Sequence, residues 1–295
     1  VAEDYVNGSH DGTPFTQLLS RMKQKPFGSK LQNHPLDNRL NDEFQRQSNL
    51  GQKYLPIQSG ESKTRKTRKI SEDLLILEGQ NPLELSKFIV DVVESYSSVL
   101  TSGQNEFIEK VENLSDVIEI REFFESIFDI NSDARLFEVA SFCILKFHYI
   151  NQTVLLDYNN NPQTMKASLY KTGRTNANDG GIDFVLKPFG RFYQVTETLD
   201  FKKYFLDFEK INRFPITFVI KQELDPQEVL SIIDNQSKTQ YKKENQLIYM
   251  SLFEEIITNY TLRDYLNTIL KDASLISPFL SELIINFKLE YGHYD

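Results

Sequence analysis

The chain has one cysteine, no long apolar run and no G-x-x-x-x-G-K-[ST] loop, and each absence narrows what it can be. A single thiol, Cys143, excludes a disulfide within the chain and a cysteine-rich zinc site, and fits a reducing cytoplasm. Cys143 lies in an apolar helical pattern and reads as a small buried hydrophobe rather than a nucleophile. A membrane span needs about eighteen or more consecutive apolar residues, and none is present. The sequence starts at Val1 and continues polar, so no signal peptide is expected. Without the phosphate-cradling loop, an ATP-driven motor is not expected. His10, His34, His148 and His293 are scattered without ligand spacing, which argues against a zinc hydrolase. His148, closing a helical stretch, reads as a partner of that helix's C-terminal dipole.

What is present fits a soluble globular protein of one large domain or two ordinary ones: 295 residues, 40% hydrophobic, with mixed charge. The net charge of −9 hides an asymmetry. Residues 1–75 hold 12 Lys and Arg against 9 Asp and Glu, a net +3, so the rest of the chain carries a net −12. The basic excess gathers in "KTRKTRK", Lys63 to Lys69, where five of seven residues are cationic. That run reads either as a phosphate-contacting arm or as a solvated linker.

Residues 1–75 are otherwise polar, with scattered Gly, Pro, Asn and Gln, and read as an extended arm or a poorly ordered region. At Asn81 the character changes. Asn81, Pro82 and Glu84 make a helix start for "NPLELSKFIVDVVESYSSVL", and a second helical stretch follows in "NEFIEKVENLSDVIEIREFFESIF". A third, "SDARLFEVASFCILKFHY", opens on Ser132 or Asp133 and is apolar on most faces, which predicts deep burial. Glu138 stands inside it; it lies on an exposed stripe, pairs with a cation, or faces a cation-binding site.

Beyond it the period shifts towards two. "QTVLLDY", "ASLYKTG", "IDFVLKP", "RFYQVTE" and "PITFVIK" read as strands, with helices at "LDFKKYFLDFEKIN" and at "DPQEVLSIIDN", the latter opened by an Asp225–Glu228 capping box. From Gln246 onward the pattern reads as helical. The expected fold class is therefore α/β: a central mixed sheet flanked by helices (residues 131–295), with an additional, largely helical N-terminal region (1–130).

The stretch "NANDGGIDFVLKPFGRFYQVTE" carries the chemistry. Strand alternation puts Phe192, Gln194 and Thr196 on one face and Tyr193, Val195 and Glu197 on the other. The "KPFG" turn lets the two runs pair, so Asp183 and Gln194 can meet. A carboxylate oxygen, an amide oxygen and the Val195 carbonyl are hard ligands suited to Mg²⁺. Gly180 and Gly181 would let a phosphate approach the start of the strand. Glu197 would reach the same face only through a bulge.

With its order of a Glu-bearing helix, "DGGID" and a strand ending in Gln-x-Thr, the segment 133–221 resembles the PD-(D/E)XK nuclease core, in particular the Mrr-like and type II restriction endonuclease branch. The resemblance implies a restriction-endonuclease-like core and Mg²⁺-dependent hydrolysis of double-stranded DNA. Asp183 matches the motif aspartate, Gln194 the Glu or Gln, and Glu138 the helix carboxylate. Thr196 falls where the family usually has lysine. The catalytic set it implies is Glu138, Asp183, Gln194 and Thr196, with Lys202 as a relocated lysine beside Lys203 and, less well placed, Lys187. The metal set is Asp183, Gln194, the Val195 carbonyl and Glu138. Lys63, Arg65, Lys66, Arg68, Lys69 and Arg174 would contact DNA. A homodimer, a companion DNA methyltransferase, a cytoplasmic location and a role in defence against foreign DNA follow from the same resemblance, as does its alternative, a nuclease fold that binds DNA without turnover.

Overall fold

The helix starts with the strongest capping residues are plain in the structure. Asp225 accepts the Gln227 N–H at 2.8 Å, and Glu228 returns to accept the Asp225 N–H at 3.2 Å. Asp133, rather than Ser132, caps the third predicted helix through the Arg135 N–H. The computed structural model describes residues 1–25, 28, 36–60, 67–173 and 181–291. It divides into two units, Val1–Phe107 with Tyr291, and Ile108–Glu290.

The first unit runs α1 (Ala2–Val6), β1 (Thr13–Pro14), α2 (Phe15–Lys23), α3 (Leu36–Gln47), β2 (Ile57–Ser59), β3 (Thr67–Ile70) and α4 (Glu72–Leu75) into α5 (Pro82–Glu112), inside which the division falls. Its antiparallel sheet has the order β1-β3-β2, and Ala2, Ile70 and Leu75 form a small core against Tyr5, Leu85 and Ile89. The described part of residues 1–75 is thus folded, not an arm. Its sheet pairs Thr13 with Arg68, far apart in sequence, and so short a strand leaves no local periodicity to read. Asp4 ties the unit together by accepting from Arg21 at 2.7 Å and Thr13 at 2.8 Å. Burial opposes ionisation there, but those two donors hold the Asp4 carboxyl below the usual range.

α5 is one helix of 31 residues where two were expected, because Gly103 weakens a helix without ending it. Phe88, Val92, Tyr96 and Val99 form an exposed row along it. The break comes instead before α6 (Val117–Phe128), capped by Asp116.

The second unit continues with α7 (Ala134–His148), β4 (Thr153–Tyr158), β5 (Asn161–Lys166), β6 (Ser168–Lys171), β7 (Phe184–Lys187), β8 (Arg191–Thr196), α8 (Phe201–Lys210), β9 (Ile216–Ile220), α9 (Pro226–Gln240), α10 (Lys243–Met250), β10 (Phe253–Thr258), α11 (Asn259–Leu270) and α12 (Ala273–Tyr291). Its five-stranded sheet, β10-β9-β8-β7-β6, is mixed: β10, β9 and β8 are parallel, while β7 and β6 are antiparallel to their neighbours. β4 and β5 form a separate hairpin. The α/β class holds.

β10 corrects the all-helical reading of the C-terminal region. The apolar pairs of "LIYMSLFEEII" mimic a helical period, but Ile256 and Ile257 align with Phe218 and Val219 on β9. At the edge where the parallel strands begin, Arg191 of β8 pairs with Glu254 at 2.9 Å and Glu255 at 3.0 Å on β10.

Helices cover both faces of the sheet. α7 packs on the face carrying Phe184 and Tyr193, with Phe142 5.3 Å from Phe184 between ring centroids. α8 and α9 cover the other through Tyr204, Phe208, Val229 and Ile233 against Ile216, Phe218 and Ile220. β9, covered on both sides, is apolar except for Thr217 and wholly buried. Cys143 is buried in α7, and burial pushes its thiol far up, in keeping with a packing role. His148 stacks on Tyr265 with ring centroids 3.6 Å apart, and burial lowers its pKa.

Among the described residues no helix is long and apolar enough to cross a membrane.

Candidate functional site

Alternation decides which side chains can meet. β8 and β9 pair Gln194 with Phe218 and Thr196 with Ile220, so Gln194 and Thr196 face α8. Asp183 precedes β7, next to Phe184 on the opposite face, and therefore turns to the same side. Its backbone N–H donates to the Tyr193 carbonyl at 2.9 Å, and its Oδ2 accepts the Val195 N–H at 2.6 Å. Asp183 and the Gln194–Val195 segment thus come together, as the alternation predicts.

The Val195 carbonyl accepts from Gln194 Nε2 at 3.2 Å, which uses one of its two lone pairs. That bond leaves Gln194 Oε1 buried with no hydrogen-bond donor. An unpaired buried acceptor is costly, and a cation or a water would satisfy it. Oxygen donors of this kind fit Mg²⁺, which keeps several waters and takes few protein ligands. No group of three or more His, Cys, Asp or Glu side chains among the described residues could hold a metal ion, so Mg²⁺ here would rest on a mixed carboxylate and amide set.

Thr196 is buried, and its Oγ1 accepts from Lys203 Nζ at 2.9 Å. α8 therefore returns an ammonium to the threonine. Lys203, not Lys202, makes this contact, although both lysines are exposed. Helical geometry explains the choice, since Lys203 lies one turn before Asp207 on the stripe that faces β8, whereas Lys202 is rotated by about 100° from Lys203. No family model, curated protein or solved structure matches the chain.

Glu138 is buried on α7 and meets Lys171 at 3.2 Å. Lys171 pairs with Phe184, so Glu138 reaches the same end of the sheet as Asp183, but from the layer on the other face. Of its three readings, pairing with a cation is the one observed. Lys187 ends β7 at its far end and lies over the Tyr170 ring, away from Asp183.

Glu197 is excluded from the Gln194 face. The β8–β9 register runs unbroken to Thr196, and Glu197 accepts from Lys221 Nζ at 2.9 Å. Lys221 also donates to the Ser132 carbonyl at 2.7 Å, and its side chain is 1% exposed. Removing one partner of a buried pair costs about 3–5 kcal/mol when the charge left behind is buried, as Lys221 would be, and far less when water reaches it, as it would reach Glu197, whose side chain is 39% exposed. Glu197→Ala should therefore cost roughly 3 kcal/mol, near the low end because Glu197 is partly solvated. Lys221→Met should stay within about 1 kcal/mol of the parent. Urea midpoints at unchanged slope test this; equal losses in both variants would contradict the buried-charge account.

Tyr193 faces α7, where its hydroxyl donates to that of Tyr149 at 3.0 Å; burial first, then this neighbour, pushes its phenol far above the usual range. It is a packing group, not an acid or base.

Asp207 on α8 escaped the sequence reading. It is 2% exposed, its Oδ1 accepts from Lys210 Nζ at 2.8 Å, and its Oδ2 is buried without a donor. The readable signal was a carboxylate inside "YFLDF", where helical spacing from Tyr204 and Phe208 places it beside buried positions.

Lys63, Arg65, Lys66 and Arg174, and with them Gly180, lie outside the described residues. Arg68 and Lys69 lie half-buried on β3, where the Arg68 guanidinium sits 6.0 Å from the Phe15 ring. These two are strand residues of the first unit's sheet, not members of a free arm.

Proposed function

We propose that the chain is a Mg²⁺-dependent endonuclease of restriction type, built on a PD-(D/E)XK-like core and hydrolysing phosphodiester bonds of double-stranded DNA at a specific sequence. The observation that carries this reading is the convergence of Asp183 and Gln194 beside a Thr196 whose hydroxyl accepts from Lys203. The missing motif lysine has a substitute within reach.

Asp183 and Gln194 would hold the metal, whose chemistry when bound is neutralisation of charge on the scissile phosphate and activation of water. The chain's own groups do the rest. The Val195 N–H fixes the Asp183 carboxylate, and Thr196 holds the Lys203 ammonium where it can offer its charge to a phosphate oxygen. Glu138 acts through Lys171, supporting this end of the sheet rather than binding the ion.

Cutting both strands of a symmetric site calls for two active sites and hence a homodimer; the exposed row on α5 is apolar surface suited to such pairing. A companion DNA methyltransferase, a cytoplasmic setting and a role in defence against foreign DNA belong to the same reading.

Plasmid or phage DNA incubated with the chain and Mg²⁺ should yield discrete fragments whose sequenced ends share one motif, and none with EDTA. DNA binding without metal-dependent cleavage would instead favour the reading that Thr196 motivates, a nuclease fold serving as a DNA-binding or sensor subunit. The basic run has its own test. Replacing Lys63, Arg65 and Lys66 together by alanine should weaken DNA binding and flatten the plot of log K against log salt by about 0.9 for each phosphate no longer neutralised. An unchanged slope would remove the run from the DNA interface.

A further inference from the structure

On the reading of Asp183 and Gln194 as a divalent-cation site, we propose that Asp207 is a third protein oxygen donor to that cation. Three observations converge. First, Asp207 is almost wholly buried yet has one carboxylate oxygen without a donor. The Lys210 ammonium that meets its other oxygen is half exposed and leaves the second unsatisfied. A carboxylate is not held this way without cost, and a surface position for the same ion pair would avoid it.

Second, Asp207 lies against the approach to Asp183. Gly181, two residues before it, has φ +86°, and a methyl group built there would stand 3.3 Å from Asp207 Oδ1 and 3.1 Å from Lys210 Cδ. The left-handed conformation calls for glycine, and the approach is tight. The strand start is thereby brought directly onto this carboxylate.

Third, Gln194 Oε1 is also buried without a donor. The β8-α8-β9 crossover joins parallel strands, so α8 runs back along β8. Lys203 touches Thr196; one helical turn on stands Asp207, and two strand residues back stands Gln194. Four helical residues rise about 6 Å and two strand residues about 6.6 Å, so Asp207 and Gln194 stand at about the same level along the two elements. An amide oxygen and a carboxylate oxygen with no donor, next to the Asp183 carboxylate, make a set that a hard cation satisfies and a hydrophobic contact does not.

Mn²⁺ titrated into the full chain without DNA, followed by calorimetry and by loss of the free-ion electron paramagnetic resonance signal, tests this. Asp207→Asn, whose fold is checked by thermal melting, should weaken Mn²⁺ binding on the order of tenfold or more. Lys210→Met, which removes a competing cation, should bind Mn²⁺ severalfold more tightly, so the proposal is tested even if Asp207→Asn fails to fold. Wild-type affinity in either variant would overturn the assignment of Asp207 and leave the Asp183–Gln194 reading standing. No Mn²⁺ binding by the wild type would overturn both.

Discussion

Asparagine at Asp183 is expected to reduce Mg²⁺-dependent DNA cleavage by at least about a thousandfold while leaving the fold and DNA affinity nearly unchanged. Asparagine keeps an oxygen to accept the Val195 N–H, so the local geometry need not move. What it removes is the negative charge that would attract the cation. Charge stabilisation by a bound metal is worth several kcal/mol, and each ~1.36 kcal/mol is a factor of ten in rate. Three such factors set the expected loss. Single-turnover cleavage at saturating enzyme isolates the effect from binding; a variant retaining a tenth or more of the wild-type rate would remove Asp183 from the site.

Lys203→Ala should lower the same rate by about a hundredfold to a thousandfold, the range for removing one donor that stabilises developing charge, with Mn²⁺ affinity preserved. Lys202→Ala should leave the rate within about twofold, because only Lys203 reaches Thr196. The pair of neighbouring lysines makes its own control. Equal behaviour of the two variants would show that the 2.9 Å contact with Thr196 has no part in turnover. Adding Thr196→Lys to the Lys203→Ala chain gives a further check, since a lysine in the strand position should restore part of the rate.

These contrasts show which parts of the site could be read beforehand. The convergence of Asp183 and Gln194 needed only period-two alternation and a turn, both local properties. The choice of Lys203 over Lys202 depended on how α8 is rotated against β8, which the apolar positions Phe201, Tyr204, Phe205 and Phe208 set collectively. Asp207 was harder, because a carboxylate in an amphipathic helix reads as solvated until the neighbouring layer is known. Glu138 was located on its helix correctly, yet its layer depended on which face of the sheet α7 covers. The same division holds for the fold. Helices α7, α8 and α9 carry caps and a clear period, while β10 and the first unit's sheet arise from pairings distant in sequence.

The double ion pair of Arg191 lies at the opposite end of the sheet from this chemistry. Its guanidinium reaches from β8 past β9 to two consecutive glutamates on β10. Sliding β8 along its neighbours by one residue would pull the arginine off both carboxylates at once. The same slip would exchange the faces of every side chain on β8, turning Gln194 and Thr196 towards α7 and Tyr193 towards α8. Arg191 thus works as a ratchet pawl: it stands apart from Gln194 and Thr196, yet it fixes which side of the strand they face.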